Sequence, residues 1–172
     1  TEVGQSFAGL GSKVTIIEMM DRIVANLDHE VSDELTRDIK KKGMEVITSA
    51  RITEIVDKGD KLEIKIDGKE SIIADRALMA IGRVPDVEGV GEIKLETEKG
   101  KIKVDKYMET SVKGVYAPGD VNGIKMLAHG AFRMGEVAAE NAVKGNHRSV
   151  KLLSAPSVVY TLPEVAMVGL TE

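Results

Sequence analysis

A chain of 172 residues with 42% hydrophobic and 30% charged side chains carries enough apolar material for one domain or two small ones. Its 24 basic and 28 acidic residues leave a formal charge of −4, so no Lys/Arg excess exists to hold nucleic-acid phosphates. Cysteine is absent, which excludes disulfides, thiolate nucleophiles and cysteine-ligated metals within these residues. His29, His129 and His147 stand far apart, and no metal site is expected. No apolar run reaches the ~18 residues of a membrane span. The opening "TEVGQSFAG" lacks the basic and apolar segments of a secretory signal, so a cytoplasmic location is the expectation.

In chain order, "TEVGQSFAGL" has helical periodicity (Val3, Phe7, Leu10) and stops at Gly11. "KVTIIE" is a β-rich run ending in an acid. The next helix is marked by Leu27, Val31, Leu35 and Ile39, a cap at Asn26 or Asp28, early acids, late lysines and a stop at Gly43. "MEVI" is a second short strand, and the near-continuous apolar strands indicate a parallel sheet. The period then changes to two. "RITEIVDKGDKLEIKIDGKESIIAD" alternates apolar and polar residues around turns at residues 58–60 and 67–68, which predicts a three-stranded antiparallel meander with one wet face. "RALMAIG" returns to the buried-strand type, and "KIKVD" and "VYAPGD" read as further strands. A last long helix places Leu127, Ala131, Met134, Ala138 and Ala142 on one side and ends at Gly145. "SVVYTLPEVAMVG" reads as a strand pair of another domain.

Three positions carry chemistry. Glu18 ends the second strand of a dinucleotide fold, where an acid accepts hydrogen bonds from the adenosine ribose; a surface acid after a strand is the other reading. The glycine fingerprint that feeds such a fold stands about 20 residues before that acid. It would therefore precede Thr1, and the expectation is a chain that starts in mid-motif, without the first strand. Gly82 either ends a strand or leaves room for a cofactor. Asp120, after Gly119, can cap its own turn or accept from a cofactor hydroxyl. The helix beginning near residue 128 would present its N-terminus beside it. His129 is expected to pack or hydrogen-bond rather than act as a base.

Together "TEVGQSFAGLGSKVTIIEMMDRI", "ALMAIGRVPD", "GVYAPGDV", "KMLAHGAFRMGEVAAENAVKG" and "PSVVYTLPEVAMVGLTE" resemble the FAD-dependent pyridine nucleotide-disulfide oxidoreductases, and "MLAH" resembles the lipoamide branch. The resemblance implies an α/β fold: a Rossmann-like parallel sheet with an antiparallel three-stranded meander, truncated at its first strand, plus part of an FAD-binding domain. It implies an NAD-binding domain over residues 1–115, a returning FAD-domain segment over 116–148 and the start of a dimerisation domain over 149–172. It assigns Glu2, Glu18, Ile52 and Gly82 to NAD, and Gly119, Asp120, Met126, Leu127, Ala128 and His129 to FAD. No catalytic residue falls in this chain, because the redox cysteine pair and the His-Glu dyad of such enzymes lie elsewhere.

The implied reaction passes electrons from dihydrolipoamide to a disulfide, then through FAD to NAD, in a homodimer serving a 2-oxoacid dehydrogenase or glycine cleavage complex. Neither nucleic acid nor membrane is expected as a partner, and the fragment alone is expected to be inactive. The alternatives are another branch of the family, such as an NADH oxidase, or a non-catalytic nucleotide-binding module.

Overall fold

The computed structural model of the chain describes residues 1–171. Its elements are α1 (Glu2–Gly9), β1 (Thr15–Ile17), α2 (His29–Lys41), β2 (Glu45–Ile47), β3 (Ile52–Asp57), β4 (Leu62–Ile66), β5 (Ile72–Ala74), β6 (Thr97–Glu98), β7 (Lys101–Ile102), α3 (Ala128–Lys144), β8 (Ser157–Val159) and β9 (Val165–Met167), with 3-10 turns at Glu88–Val90, Asp120–Asn122 and Leu152–Ser154. They form two compact units, one of residues 1–80 with 156–171 and one of residues 81–155.

In the first unit β1 and β2 pair in parallel, Ile16 beside Val46. α2 starts after Asp28, which is extended at the N-cap, with Glu30 in the first turn and Lys40 and Lys41 in the last, as the helix dipole favours. Leu35 and Ile39 of α2 are buried with Ile23 and Met44, and Val14, Ile16 and Val46 pack against them. Ser32 secures the loop ahead of the helix, its hydroxyl donating to the Ile23 carbonyl at 2.7 Å. α1 packs beside β1 at Gly4, where a Cβ would make ordinary contact with Val14 and Ile16 at 3.5 and 3.9 Å.

The expected meander forms as read. β3, β4 and β5 are consecutive antiparallel neighbours, with Ile55 opposite Ile64 and Glu63 opposite Ile73. Its turns place Gly59 and Gly68 at φ of 97° and 63°, a region open to glycine. Ile64 and Ile66 join Ala50 in a small core against Ile17 and Ile47. The wet side carries the Glu54–Lys65 and Lys58–Glu63 ion pairs. In β4 the alternation in the sequence is thus an inside and an outside, and the meander packs on the separate parallel pair through Ile17 and Ile47.

β8 and β9 are an antiparallel pair held to α1 by side chains. The Glu2 carboxylate accepts from the Tyr160 N–H at 2.6 Å, and Gln5 accepts from the Leu162 N–H at 2.7 Å. Residue 172, the last of the expected third segment, lies outside the described residues.

Four readings beyond the meander need correction. "RALMAIG" forms no strand, and Leu78, Met79 and Ile81 are exposed. Among the described residues no strand lies alongside it, and an apolar run without a ladder for its N–H and C=O groups does not become a strand. "VYAPGD" contributes a single bridge, Glu109 to Tyr116, and "KIKVD" only the two residues of β7, paired with β6. The buried stripe of α3 is Gly130, Met134, Val137, Ala138 and Asn141, while Ala142 is exposed. It is rotated because Met108, Val104, Tyr116, Val150 and Leu152 pack on the Val137 side.

Candidate nucleotide-binding site

At the end of β1, Glu18 donates its N–H to the Ile47 carbonyl at 2.9 Å and accepts from the Ala50 N–H at 3.0 Å. Its backbone is therefore tied to the end of β2 and to the approach to β3. The half-buried side chain turns back on its own loop, Oε1 accepting from the Met20 N–H at 2.8 Å. One carboxylate oxygen is committed to shaping the loop, and the other takes no hydrogen bond from a described residue. The loop is also braced by Ser49, which donates to the Met20 carbonyl at 2.7 Å.

Ile52 opens β3 at 40% exposure, two residues beyond the Ala50 that Glu18 holds, with a register irregularity immediately after it. The Glu18 backbone is thus bonded two residues short of Ile52. Glu2 has a different engagement, since its carboxylate holds Tyr160. Gly82 belongs to the second unit, exposed, at φ 117°.

In the second unit the structure gathers the residues read as a flavin turn. Gly119 is buried at φ 86°, and a Cβ there would lie 3.5 Å from the Ala131 methyl of α3. The Gly-Asp pair therefore sits against the beginning of α3. Asp120 opens the 3-10 turn with its side chain exposed, and its carbonyl accepts from the Gly123 N–H at 2.9 Å. Met126, Leu127 and His129 are half-buried and Ala128 is exposed. α3 begins after an extended Leu127 that makes no side-chain cap hydrogen bond, and the positive end of this 17-residue helix dipole favours a negative or accepting group. Lys125 crosses beside Gly130, where a Cβ would stand 2.9 Å from its Cγ.

Asn122 was legible in the sequence only as half of an Asn-Gly turn. In the structure its side chain is 4% exposed and fully engaged inside the turn. A buried Asn and a solvent-facing one have the same sequence signature, so no signal separated them. Among the described residues no three His, Asp or Glu side chains stand close enough to hold a metal ion.

Residues 1–135 match the family description "Pyridine nucleotide-disulphide oxidoreductase". The chain belongs to this family. It is 42% identical over 180 residues to a dihydrolipoyl dehydrogenase of Thermus scotoductus, covering 99% of this chain and 38% of that protein. A mercuric reductase of Bacillus cereus is 34% identical, covering 99% of this chain and 28% of its own length. Among solved structures, the crystal structure of LpdA from Mycobacterium tuberculosis superimposes with a TM-score of 0.90 at 26% identity, over 98% of this chain and 38% of that one. The chain therefore spans less than two fifths of the length of these relatives.

Proposed function

We propose that the chain is the nucleotide-handling part of a dihydrolipoyl dehydrogenase, which oxidises dihydrolipoamide through a redox disulfide and FAD and reduces NAD. The observation that carries this reading is the contact of the Gly119 backbone with Ala131, which sets the residue next to the exposed Asp120 against the first turns of α3. That pairing suits a flavin dinucleotide, because a carboxylate accepts from ribityl or ribose hydroxyls while a helix N-terminus donates to phosphate or a ring carbonyl. Gly119 stands there because its φ of 86° is a conformation open to glycine.

In this reading Asp120 orients FAD, and residues 126–129 line the approach to its ring. Glu18 offers its remaining oxygen to the ribose of NAD; Ile52, Gly82 and Glu2 are assigned to the same nucleotide by the family resemblance alone. When bound, FAD supplies the electron relay between the dithiol and the nicotinamide, and the protein contributes orientation and electrostatics. Without cysteine, these residues cannot supply the disulfide. The proposed assembly is a cytoplasmic homodimer serving a 2-oxoacid dehydrogenase or glycine cleavage complex.

The mercuric reductase relative favours a second reading, another branch of the same family acting on a different electron acceptor or donor. Assays of the whole protein separate the two. Dihydrolipoamide-dependent NAD reduction by a yellow, FAD-containing enzyme is the expected result. A colourless protein, or NADPH-dependent reduction of Hg(II) without lipoamide turnover, would overturn the proposal.

A further inference from the structure

The turn between the Tyr116 bridge and α3 contains one buried polar side chain, Asn122. Its Nδ2 donates to the Ala117 carbonyl at 2.8 Å and lies 3.3 Å from the Met134 sulfur and 3.9 Å from the Met108 sulfur. Its Oδ1 accepts from the Ile124 N–H at 2.9 Å. The two partners dictate the orientation, since a carbonyl only accepts and a backbone N–H only donates.

Ala117 lies before the Gly-Asp pair and Ile124 after it. One side chain thus closes the segment that carries Gly119 and Asp120, and the sulfur of Met134 anchors that closure to the buried face of α3. The backbone adds only narrow support, Asn122 N–H to Gly119 at 3.2 Å and Gly123 N–H to Asp120 at 2.9 Å. The Asp120 side chain makes no hydrogen bond of its own to a described residue. Its direction follows that of the segment, which Asn122 closes from inside and to which Lys101 also donates, Nζ to the Gly123 carbonyl at 3.3 Å.

We infer that Asn122 is a positioning residue for the flavin-facing turn: it fixes Asp120 against the start of α3 without touching the cofactor. The inference rests on the FAD reading of Asp120. Asn122→Asp keeps the shape but removes the amide donor and places a carboxylate against the Ala117 carbonyl and two thioethers. Asn122→Ser keeps a short hydroxyl that can satisfy one of the two backbone groups. A buried partner left unsatisfied weakens what depends on it by about ten- to a hundredfold.

The test uses the whole protein, measuring FAD dissociation, the visible flavin spectrum and the thermal midpoint. Asn122→Asp should weaken FAD by about tenfold or more and blur the resolved flavin band, with Asn122→Ser intermediate. Val137→Ala, a cavity in the same cluster away from the turn, should lower the thermal midpoint and leave FAD affinity unchanged. If Val137→Ala weakens FAD in proportion to lost stability, or if both Asn122 variants hold FAD within about twofold of the wild type, the inference is wrong. Should Asn122→Asp not fold, the Asn122→Ser variant alone decides by the same limits. Asp120→Asn separates the underlying reading: if FAD affinity is unmoved there, the flavin assignment of the turn falls, whereas an effect at Asp120 with none at Asn122 sinks only the positioning role.

Discussion

The Glu140 carboxylate accepts from the Arg148 guanidinium at 2.6 Å, across the Gly145 turn that ends α3. Lys144 reaches the other oxygen at 3.1 Å, and the His147 ring lies 3.3 Å from it. Asn141, one residue along, binds the same returning segment with both ends of its amide, accepting from Arg148 N–H at 3.0 Å and donating to the Arg148 carbonyl at 2.8 Å. Residues 145–148 are therefore latched to the last turn of the helix. The Arg148 hydrogen bond first, then that of Lys144, outweigh partial burial and lower the Glu140 pKa from 4.5 to about 2.

A group whose folded pKa is depressed contributes stability above its unfolded pKa and loses it as pH falls through the folded value. For Glu140 the window runs from 4.5 down to about 2. Thermal midpoints of the wild type, followed by circular dichroism in dilute solution, should fall across that window. Glu140→Gln should start lower and show a shallower fall. Parallel curves for the two proteins would mean that the latch adds nothing to stability.

Glu18 gives the second prediction. In the whole enzyme, Glu18→Gln should weaken NAD and improve the relative use of NADP, because one carboxylate oxygen is available to a ribose hydroxyl and its charge opposes a 2′-phosphate. Loss of a charged hydrogen-bond partner costs about 1.5–3 kcal/mol, or about ten- to a hundredfold in affinity. The same change also weakens the Met20 contact, so the ratio of kcat/KM for NAD and NADP is the proper readout. An unchanged ratio would place Glu18 in a purely loop-shaping role.

Exposed apolar side chains support a third. Leu10 is 82% exposed, Ile81 88%, Val84 90% and Phe132 78%. Apolar surface of this kind self-associates or takes up a hydrophobic dye. The 172-residue polypeptide should bind anilinonaphthalene sulfonate and sediment as a concentration-dependent mixture. Replacing Ile81 and Val84 by serine should reduce both signals without loss of helix content. A dye-silent monomer would contradict this.

The fourth concerns turnover. A polypeptide of these 172 residues alone should show no dihydrolipoamide-dependent NAD reduction, because it has no cysteine to form the redox disulfide. Activity that follows the protein band through a further purification step would overturn the expectation.

Local chemistry made much of the fold legible. α2 was readable because its cap, charge gradient and buried residues follow a 3.6-residue period that needs no distant partner. The meander was readable because alternation and two glycine turns specify which face is inside. The Gly119–Asp120 pair and the start of α3 were legible as a candidate site for the same reason, being close in sequence. Tertiary structure decided whatever depended on a neighbour. "RALMAIG" and "VYAPGD" have the composition of strands, but a strand exists only with another beside it. The face of α3 that became buried was chosen by residues 104–116 and 150–152 packing on Val137. Asn122 passed from turn residue to buried clasp because Ala117, Ile124 and two methionine sulfurs enclose it, and that enclosure is a property of the folded chain alone.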